Sequence, residues 1–335
     1  MVVVSEMLSG YHPHRRFYLY PCHDFSATFR WSYDQFFYNR WCEESYRALL
    51  NHRDRTDDPE DAAFFVIGST LRCVSFARID YQALNESLRT LPFVRSDRMH
   101  VVFDLSDYPR PALSGRSFIV CKSAFHETFY NPSSCVSIPQ FPRYHFDRPF
   151  LDAKVRPHLA CFKGNLRLRH TNLRTRLLTL HDNNKFVITA GVLKPSDIQI
   201  NPDGTATECV QPGEQPYVDT LFASTFALLP RGRGYALSYR MVEAMNAGCV
   251  PVIISDGYVL PFSECLNYES FSVRIAEAEV EMLPELLETK LDVADLLQRK
   301  AHAVFLEYFS STKQIINHAI GLIQQIVRNS PRPTR

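Results

Sequence analysis

The chain of 335 residues is too long for one small core, and its length predicts about two domains. Hydrophobic residues make up 45% of it and charged residues 22%, an ordinary globular composition that excludes disordered, collagen-like and coiled-coil proteins. Because 37 Lys and Arg residues balance 36 Asp and Glu residues, the net charge is +1, and neither nucleic acid nor a membrane surface is expected to attract the whole chain.

Signals that would direct the chain to a compartment are absent from its sequence. It has no run of about 18 apolar residues, as a transmembrane helix requires, and residues 1–7 lack the basic and apolar parts of a signal peptide. The chain is expected to be cytosolic as it stands, unless an anchor is missing from it. None of the nine cysteines is spaced Cys-x-x-Cys, which argues against a zinc ribbon. The oxidation state of the cysteines stays open, because both reduced thiols in the core and a few disulfides fit the sequence.

Apolar runs predict the strands in the first part of the chain. They are residues 17–20, 62–67, 100–104 and 117–120, and a helical stretch ends near Leu50. Continuous apolar runs suit strands that are buried on both faces of a sheet. Since strands alternate with helical segments, we expect an α/β fold with a parallel sheet.

Five prolines between residues 132 and 157 mark a predicted boundary between two lobes. Proline at this density resists both helices and central strands. We therefore assign residues 1–155 to an N-terminal lobe, residues 156–309 to a C-terminal lobe and residues 310–335 to a final helix and tail.

A second set of strands follows this boundary, at residues 159–162, 187–189, 225–229 and 250–254. The tail is predicted to form one amphipathic helix. Ser311 and Gln314 form a capping box at its start. The apolar stripe along it consists of Ile316, Ile320, Ile323 and Val327.

The segment between the last two of these strands carries the clearest chemical signal. A helix is predicted over residues 238–247, with Ser238 as its candidate N-cap. Glycines in the loop before it let the backbone approach a ligand closely. The helix N-terminus would lie beside two arginines and bind an anion, for which a diphosphate is the natural ligand. The loop contains Arg231, Gly232, Arg233 and Gly234.

Arg240 and Glu243 are three residues apart in the predicted helix and therefore lie on one of its faces. One hypothesis has Arg240 facing the phosphates and Glu243 accepting hydrogen bonds from ribose hydroxyl groups. The alternative is an ion pair on a solvated helix face.

Five blocks of this sequence resemble a known enzyme family. Residues 224–264 read STFALLPRGRGYALSYRMVEAMNAGCVPVIISDGYVLPFSE and are similar to the signature of the exostosin-type glycosyltransferases, glycosyltransferase family 47. The other blocks follow the family in order: RTDDPEDAAFFV at 55–66, SIPQF at 137–141, LACFKGN at 159–165 and EYFSS at 307–311. The resemblance thus spans nearly the whole chain.

The resemblance implies a GT-B fold, in which two Rossmann-like lobes face each other across a cleft and the C-terminal helix returns toward the first lobe. Family members transfer a sugar, usually from a UDP-sugar on the C-terminal lobe, to a glycan on the N-terminal side, with inversion at the anomeric carbon. No cofactor other than this donor substrate is implied. No two aspartates are separated by a single residue, so the manganese-binding Asp-x-Asp motif is absent and metal-independent transfer is expected.

The resemblance also assigns roles within the donor site. The two loop arginines would hold the diphosphate, and Ser238 would form the helix entry beneath it. Arg240 would support the same charge and Glu243 would bind the ribose. The full set of implied donor-binding residues is Lys163, Gly164, Arg174, Arg231, Gly232, Arg233, Ser238, Arg240 and Glu243.

Three of these residues lie in the first part of the C-terminal lobe. Lys163 and Gly164 end its first strand and should face the cleft, as strand ends do in a doubly wound sheet. For Lys163 an exposed surface position is the alternative. Arg174 matches a family position from which it would reach the donor or an acidic acceptor.

Inversion requires a general base beside the acceptor hydroxyl group. Asp107 is our candidate, because it follows a first-lobe strand at a place where cleft residues are expected. Asp104, the pair His23 and Asp24, and His126 are alternatives. The segment from Asp104 to Asp107 is also rich in residue types that form turns. A role for its aspartates in capping a turn therefore stays open.

The chain departs from the family at Cys135, where members often have Asp. Neither the usual N-terminal anchor of the family nor the second transferase domain of its longer animal members is expected from this sequence. The resemblance implies the Golgi lumen, polysaccharide biosynthesis or protein glycosylation, a glycan or glycoprotein acceptor, and homo- or hetero-oligomers with related transferases. Two alternatives stay open. One is a catalytically silent subunit with a structural or partner role, and the other is polyanion binding through the basic cluster at 167–176.

Overall fold

The computed structural model describes the greater part of the chain. The described residues are 16–21, 35–70, 91–94, 98–104, 117–140, 146, 149–164, 172–182, 184–190, 199–200, 206–207, 215–232 and 239–330. They form two parallel β-sheets, the helices packed on them and a short antiparallel pair of strands.

The first sheet has six strands, and all its neighbouring strands pair in parallel. The strands are β1 (Phe17–Leu19), β2 (Arg55–Thr56), β3 (Phe64–Thr70), β4 (Met99–Asp104), β5 (Phe118–Lys122) and β6 (Cys135–Ser137), with α1 (Gln35–Leu50) between β1 and β2 in the chain. Their order across the sheet is β2-β1-β3-β4-β5-β6. Val101 and Phe103 belong to one apolar cluster and Val102 to another, so β4 is buried on both faces.

The second sheet has five parallel strands in the order β13-β12-β11-β7-β8. They are β7 (His158–Gly164), β8 (Phe186–Ala190), β11 (Ser224–Pro230), β12 (Val250–Ile254) and β13 (Val273–Ile275), while β9 (Gln199–Ile200) and β10 (Ala206–Thr207) form the separate antiparallel pair. The helices of this part are α2 (Leu173–Leu178), α3 (Gln215–Phe222), α4 (Arg240–Asn246), α5 (Leu283–Thr289) and α6 (Leu291–Val304). A π-helical turn, Phe305–Phe309, leads to α7 (Thr312–Asn329).

All eight predicted strands are present, each with bounds within a few residues of the prediction. β6 was not predicted, because it lies inside the proline-rich segment. Its three residues fit between Pro132 and Pro139 at the edge of the sheet, where proline is tolerated. The helix predicted over 238–247 is described as Arg240–Asn246, and Tyr239 before it makes no side-chain capping bond.

The start and the apolar stripe of the tail helix are confirmed. Ser311 Oγ accepts a hydrogen bond from Gln314 N at 3.2 Å, which caps α7. The stripe residues Ile316, Ile320 and Ile323 are buried in the cluster that also contains the first-sheet residues, and Val327 packs against it. α7 therefore returns to the first lobe, as the resemblance implied.

The two lobes meet along the segment that follows β12. Val259 N donates to Phe125 O at 3.0 Å, and Phe262 N donates to Ser137 O at 2.8 Å. This segment leaves the carboxyl end of β12. It bonds to Phe125, just beyond the carboxyl end of β5, and to Ser137, the last residue of β6, so those edges of the two sheets adjoin. Two Rossmann-like lobes with a returning C-terminal helix constitute the GT-B fold. The residues at which one lobe gives way to the next stay a prediction.

The structure also bears on the membrane and cysteine predictions. None of the helices in the described ranges combines the length and apolar character needed to cross a bilayer. Five of the cysteines in the described ranges are free thiols, namely Cys121, Cys135, Cys161, Cys249 and Cys265, and of these five only Cys265 is exposed. For these five, the reduced state is the one that the structure describes.

Candidate functional site

The second sheet has a point at which its strand order reverses. From β7 the chain continues to β8 on one side and then returns to β11 on the other, so the reversal lies between β7 and β11. Ligands of doubly wound sheets bind outside the carboxyl ends of the strands at such a point. Lys163 and Gly164 end β7, and Arg231 and Gly232 directly follow β11, so the fold brings these four predicted donor-site residues to this place.

Two arginines converge on one aromatic ring at the end of β7. The Arg240 guanidinium carbon lies 5.8 Å from the centre of the Phe162 ring, and that of Arg174 lies 5.4 Å from it. Arg240 Nε donates to Lys163 O at 2.7 Å, which fixes this guanidinium against the strand end. A Cβ atom at Gly164 would lie 2.8 Å from Phe162 Cζ and 3.0 Å from Arg240 Nη2. A side chain here would therefore press on the Phe162 ring and on the Arg240 guanidinium group.

Arg174 is a buried cation at the same place. Its side chain belongs to α2, the residue is only 5% exposed, and Nη2 donates to Pro230 O at 3.4 Å. Burial, and then the nearby charge of Arg240, lowers the pKa of Arg174 to about 10. Arg174 is thus still charged at pH 7 and lies beside a like charge. An anion bound between them would relieve this repulsion.

Arg231 has a carboxylate partner. Its Nε donates to Glu277 Oε1 at 2.5 Å, and the two side chains are only 14% and 16% exposed. Asp256 N also donates to Glu277 Oε1, at 3.2 Å, and Arg176 Nη1 donates to Glu277 O at 2.9 Å. Glu277 is thus held by groups that follow β11 and β12 and by α2, and it fixes Arg231 at the edge of the sheet.

Glu243 is completely buried. Its Oε2 accepts a hydrogen bond from Tyr217 OH at 2.7 Å. Burial, followed by the charge of Glu243, raises the pKa of Tyr217 well above its ordinary value. The alternative of an ion pair on a solvated face is wrong for this carboxylate, because no solvent reaches it. Contact of Glu243 with a ribose stays a prediction. The hydrogen bond from Tyr217 OH is a contact of this carboxylate that the sequence did not predict.

Several predicted residues lie outside the described ranges. They are Asp107, Arg233 and Ser238 among the assigned residues, and His23 and Asp24 among the alternatives. Their roles stay predictions.

The other two alternatives for the base have structural contacts of their own. Asp104 and Lys122 are paired residues of β4 and β5, with Nζ 3.0 Å from Oδ2 and both side chains buried. Asp104 is thus part of an ion pair inside the sheet rather than an exposed turn. His126 Nδ1 accepts a hydrogen bond from Thr128 N at 3.2 Å, and the ring lies against Gly257.

Sequence reasoning did not find Phe162, Tyr217 or Glu277. Phe162 lies in a quoted family block, yet only its stacking against two guanidinium groups reveals what it does. Tyr217 and Glu277 are 26 and 46 residues from their partners, and no local pattern links them. Within the described ranges, no group of three or more His, Cys, Asp and Glu side chains could hold a metal ion. Metal independence stays a prediction.

Comparison with known proteins finds one family model and several relatives that carry the name exostosin. The Exostosin GT47 domain model matches residues 14–290. The Exostosin-1 homolog of Caenorhabditis elegans is 28% identical over 318 residues, which cover 85% of this chain and 81% of that protein. Exostosin-1b of Danio rerio is 27% identical over 356 residues, and Exostosin-1 of Bos taurus is 28% identical over 316 residues. The chain spans only 48% and 42% of the length of these two vertebrate relatives.

Similarity to solved structures is weaker. TarM is 10% identical with a TM-score of 0.42, and the match covers 81% of this chain and 55% of that one. A glycosyltransferase from Rickettsia africae is 12% identical with a TM-score of 0.40, and the match covers 94% of this chain and 100% of that one. TM-scores this low carry no argument about fold or function.

Proposed function

Since the chain belongs to the exostosin GT47 family of glycosyltransferases, we propose that it transfers a sugar from a UDP-sugar to a hydroxyl group of a glycan, with inversion at the anomeric carbon. The observation that carries the proposal is the convergence of Arg174 and Arg240 on Phe162 at the reversal point of the second sheet. Two buried or partly buried cations at that point form a site for a doubly charged phosphate group.

The reaction accounts for the need for cations. The acceptor oxygen forms a bond to the anomeric carbon while the bond from that carbon to the diphosphate breaks, and UDP leaves with the electron pair. A carboxylate takes the proton of the acceptor hydroxyl group, and Asp107 is the proposed base. Negative charge grows on the diphosphate as the bond breaks, and each preorganised donor that meets this charge contributes about 3–4 kcal/mol.

The remaining donor-site residues complete this arrangement. Arg231, fixed by Glu277, contacts the diphosphate together with Arg233, while Gly232 leaves room for it. Ser238 and the N-terminus of α4 extend the same site. Glu243 is the proposed ribose ligand, and this role requires the ribose to displace the groups that now bury its carboxylate. No metal ion is required in this proposal, because the guanidinium groups balance the charge of the diphosphate.

The setting of the reaction is part of the proposal. A glycan or glycoprotein acceptor in the Golgi lumen, in polysaccharide biosynthesis or protein glycosylation, suits a member of this family. A catalytically silent subunit is a second candidate. It is favoured by the engagement of two predicted donor ligands with protein partners, Arg231 with Glu277 and Glu243 with Tyr217.

Calorimetric titration with UDP in the presence of EDTA tests the proposal. We expect the wild type to bind, and Arg240→Gln to weaken binding at least about tenfold, since a hydrogen bond to a charged group contributes about 1.5–3 kcal/mol. Arg299→Ala is the matched control, because this arginine is 67% exposed on α6. If folded wild type bound no UDP either in EDTA or with an added divalent metal, the silent-subunit candidate would replace the transferase. UDP binding that needed a divalent metal would overturn the metal-free donor site.

A further inference from the structure

Glu243 is a buried charge whose hydrogen-bond partner lies on another helix. It belongs to the first turn of α4, and the residue is 0% exposed. A glutamate is almost never fully buried without a partner, because its carboxylate needs donors to replace the water that it loses. Tyr217 of α3 provides one, with its hydroxyl oxygen 2.7 Å from Glu243 Oε2. A ligand that binds through this oxygen must therefore compete with a hydroxyl group of the chain itself.

The Tyr217 hydroxyl group and a ribose hydroxyl group would bind this carboxylate in the same way. Burial, followed by the charge of Glu243, raises the pKa of Tyr217 well above its ordinary value, so the phenol keeps its proton at pH 7. It therefore donates to an ionised carboxylate, which can only accept. A ribose hydroxyl group is likewise an O–H donor, and its bond to a charged acceptor would be of the same strong kind. Either group can satisfy Oε2.

Arg240 links this contact to the proposed diphosphate site. It precedes Glu243 by about one turn of α4, and side chains three positions apart in a helix have Cβ atoms about 5–6 Å apart on one face. Arg240 Nε donates to Lys163 O at 2.7 Å, which holds the guanidinium group at the carboxyl end of β7. A nucleotide with its phosphates at Arg240 would therefore bring its ribose close to Glu243 and to the Tyr217 hydroxyl group.

Tyr217 differs in exposure from the residues that surround Glu243 in α4. Those residues, from Met241 to Asn246, are all buried. Tyr217 is only half-buried, and it packs against an apolar cluster formed by α3, α4 and the second sheet. Turning its ring outward about two side-chain torsions would therefore disturb the core less than moving a residue of α4. Among these residues, Tyr217 is the one that a ligand can displace most readily.

We propose that Tyr217 is a positioning residue of the donor site, which holds the carboxylate of Glu243 and gives it up to a ribose hydroxyl group when UDP binds. The inference rests on the proposed function in taking a UDP-linked donor whose ribose meets Glu243. The exchange keeps the buried carboxylate satisfied in both arrangements, since one O–H donor replaces another. It also accounts for a predicted ribose ligand that has no exposed surface.

The exchange weakens the hold of the site on UDP. Part of the free energy of the ribose contact is used to break the bond between Tyr217 and Glu243, so the net gain on binding is smaller than one hydrogen bond to a free carboxylate would provide. UDP is the leaving group of the proposed reaction and must depart before the next donor binds. Return of the Tyr217 hydroxyl group to Glu243 would favour this departure, and product release limits the turnover of many enzymes.

The test compares Tyr217→Phe with the wild type in calorimetric titrations with UDP, 2′-deoxy-UDP and 3′-deoxy-UDP. Phenylalanine keeps the ring and removes only the hydroxyl group that competes for Glu243. Tyr268→Phe is the matched control, because Tyr268 OH also donates at 2.7 Å, to Pro261 O, and its short helix carries no donor-site residue. Urea unfolding reports whether each variant is folded.

We expect Tyr217→Phe to bind UDP at least about fivefold more tightly than the wild type, because the ribose no longer competes with the phenol. Within Tyr217→Phe, at least one deoxy analogue should bind about tenfold more weakly than UDP, since it leaves the buried carboxylate without a donor. Tyr268→Phe should leave all three affinities unchanged. Should Tyr217→Phe fail to fold, fluorine NMR of the chain with fluorotyrosine at position 217 takes its place, and that resonance should shift as UDP is added.

The inference is overturned if Tyr217→Phe binds UDP as the wild type does or more weakly, since the phenol would then hold Glu243 permanently. It is also overturned if both deoxy analogues bind Tyr217→Phe as tightly as UDP, or if the fluorine resonance stays in place at saturating UDP. Each of these results, obtained with a wild type that binds UDP, leaves the proposed function standing. If neither the wild type nor Tyr217→Phe bound UDP, with or without a divalent metal, both proposals would fail together.

Discussion

Gly164 lies at the end of β7, where a side chain would enter the space between Phe162 and Arg240. A Cβ atom there would come within 2.8 Å of Phe162 Cζ and 3.0 Å of Arg240 Nη2. We expect Gly164→Ala to displace the Arg240 guanidinium and to cost about 1–3 kcal/mol of stability, as overpacking does. UDP affinity should fall severalfold in the same variant.

Gly321→Ala is the matched control for this substitution, because the added Cβ atom meets open space. It should raise the unfolding free energy by about 0.5–1 kcal/mol through helix propensity. Urea unfolding and UDP titration of both variants provide the comparison. Equal UDP affinity in wild type and Gly164→Ala would show that Arg240 does not depend on this glycine.

Glu277 shares Arg231 with the proposed diphosphate. Glu277→Gln keeps an oxygen that can accept from Arg231 Nε but removes a negative charge close to the donor site. UDP binding should therefore tighten, by about two- to fivefold, which is under 1 kcal/mol. Calorimetry at two salt concentrations measures the effect. Glu281→Gln is the control, since that carboxylate pairs with Arg176 at a more exposed position. Weaker binding in Glu277→Gln would mean that its charge serves to position Arg231.

Residue partners were harder to predict from the sequence than residue types. Arg231 and Arg240 are predicted because arginine suits a diphosphate, and Arg174 because it matches a family position. Their contacts depend on strand order and helix docking, which join positions far apart in the chain. Glu277 reaches Arg231 across 46 positions. No local pattern carries that information.

At the scale of elements, the N-cap of α7 makes a measurable contribution to the free energy of unfolding. Ser311 Oγ accepts from Gln314 N, so one backbone N–H group of the first turn is satisfied. Ser311→Ala should lower the unfolding free energy by about 1 kcal/mol, within a range of roughly 0.5–2. Calorimetric melting is the measurement, with an expected decrease of about 2–4 °C for a unit of this size.

The neighbouring serine provides the control for the cap. Ser310 Oγ donates to Leu306 O within the preceding turn and caps nothing. Ser310→Ala should change the unfolding free energy by no more than about 0.5 kcal/mol. Equal losses in the two variants would contradict the role of Ser311 as the N-cap.

The elements themselves were largely predictable because their signals are local. Strands such as β11 and β12 are buried on both faces and read as unbroken apolar runs. The capping pair and the apolar stripe of α7 are likewise patterns of residues that lie close together in the sequence. β6 was missed because its partner strand decides its conformation, and the prolines on either side argue for a loop.

At the scale of the whole molecule, the two lobes are joined by a strained segment. Gly257 has a φ of +67°, and Phe262, a buried aromatic residue, has a φ of +53°. A bulky residue in the left-handed region is rare and costs about 1–2 kcal/mol. Hydrogen bonds from Val259 N to Phe125 O and from Phe262 N to Ser137 O hold this conformation against the first lobe.

The contact between Gly257 and His126 couples the lobes and can be measured by a double-mutant cycle. A Cβ atom at Gly257 would lie 2.4 Å from His126 Nε2, so Gly257→Ala combines a clash with an unfavourable φ. We expect it to cost about 2–4 kcal/mol, of which the left-handed conformation accounts for about 1–2. Adding His126→Ala should recover the part that is due to the clash.

Hydrogen exchange locates the effect of Gly257→Ala in the molecule. The amide groups of Val259 and Phe262 cross between the lobes, so their protection should fall in this variant and return in the double variant. His126→Ala alone should leave both amides protected, because Glu127 N still donates to Gly257 O at 2.8 Å. If the two substitutions were additive, the lobes would be joined by the backbone bonds alone and the histidine would have no part in their coupling.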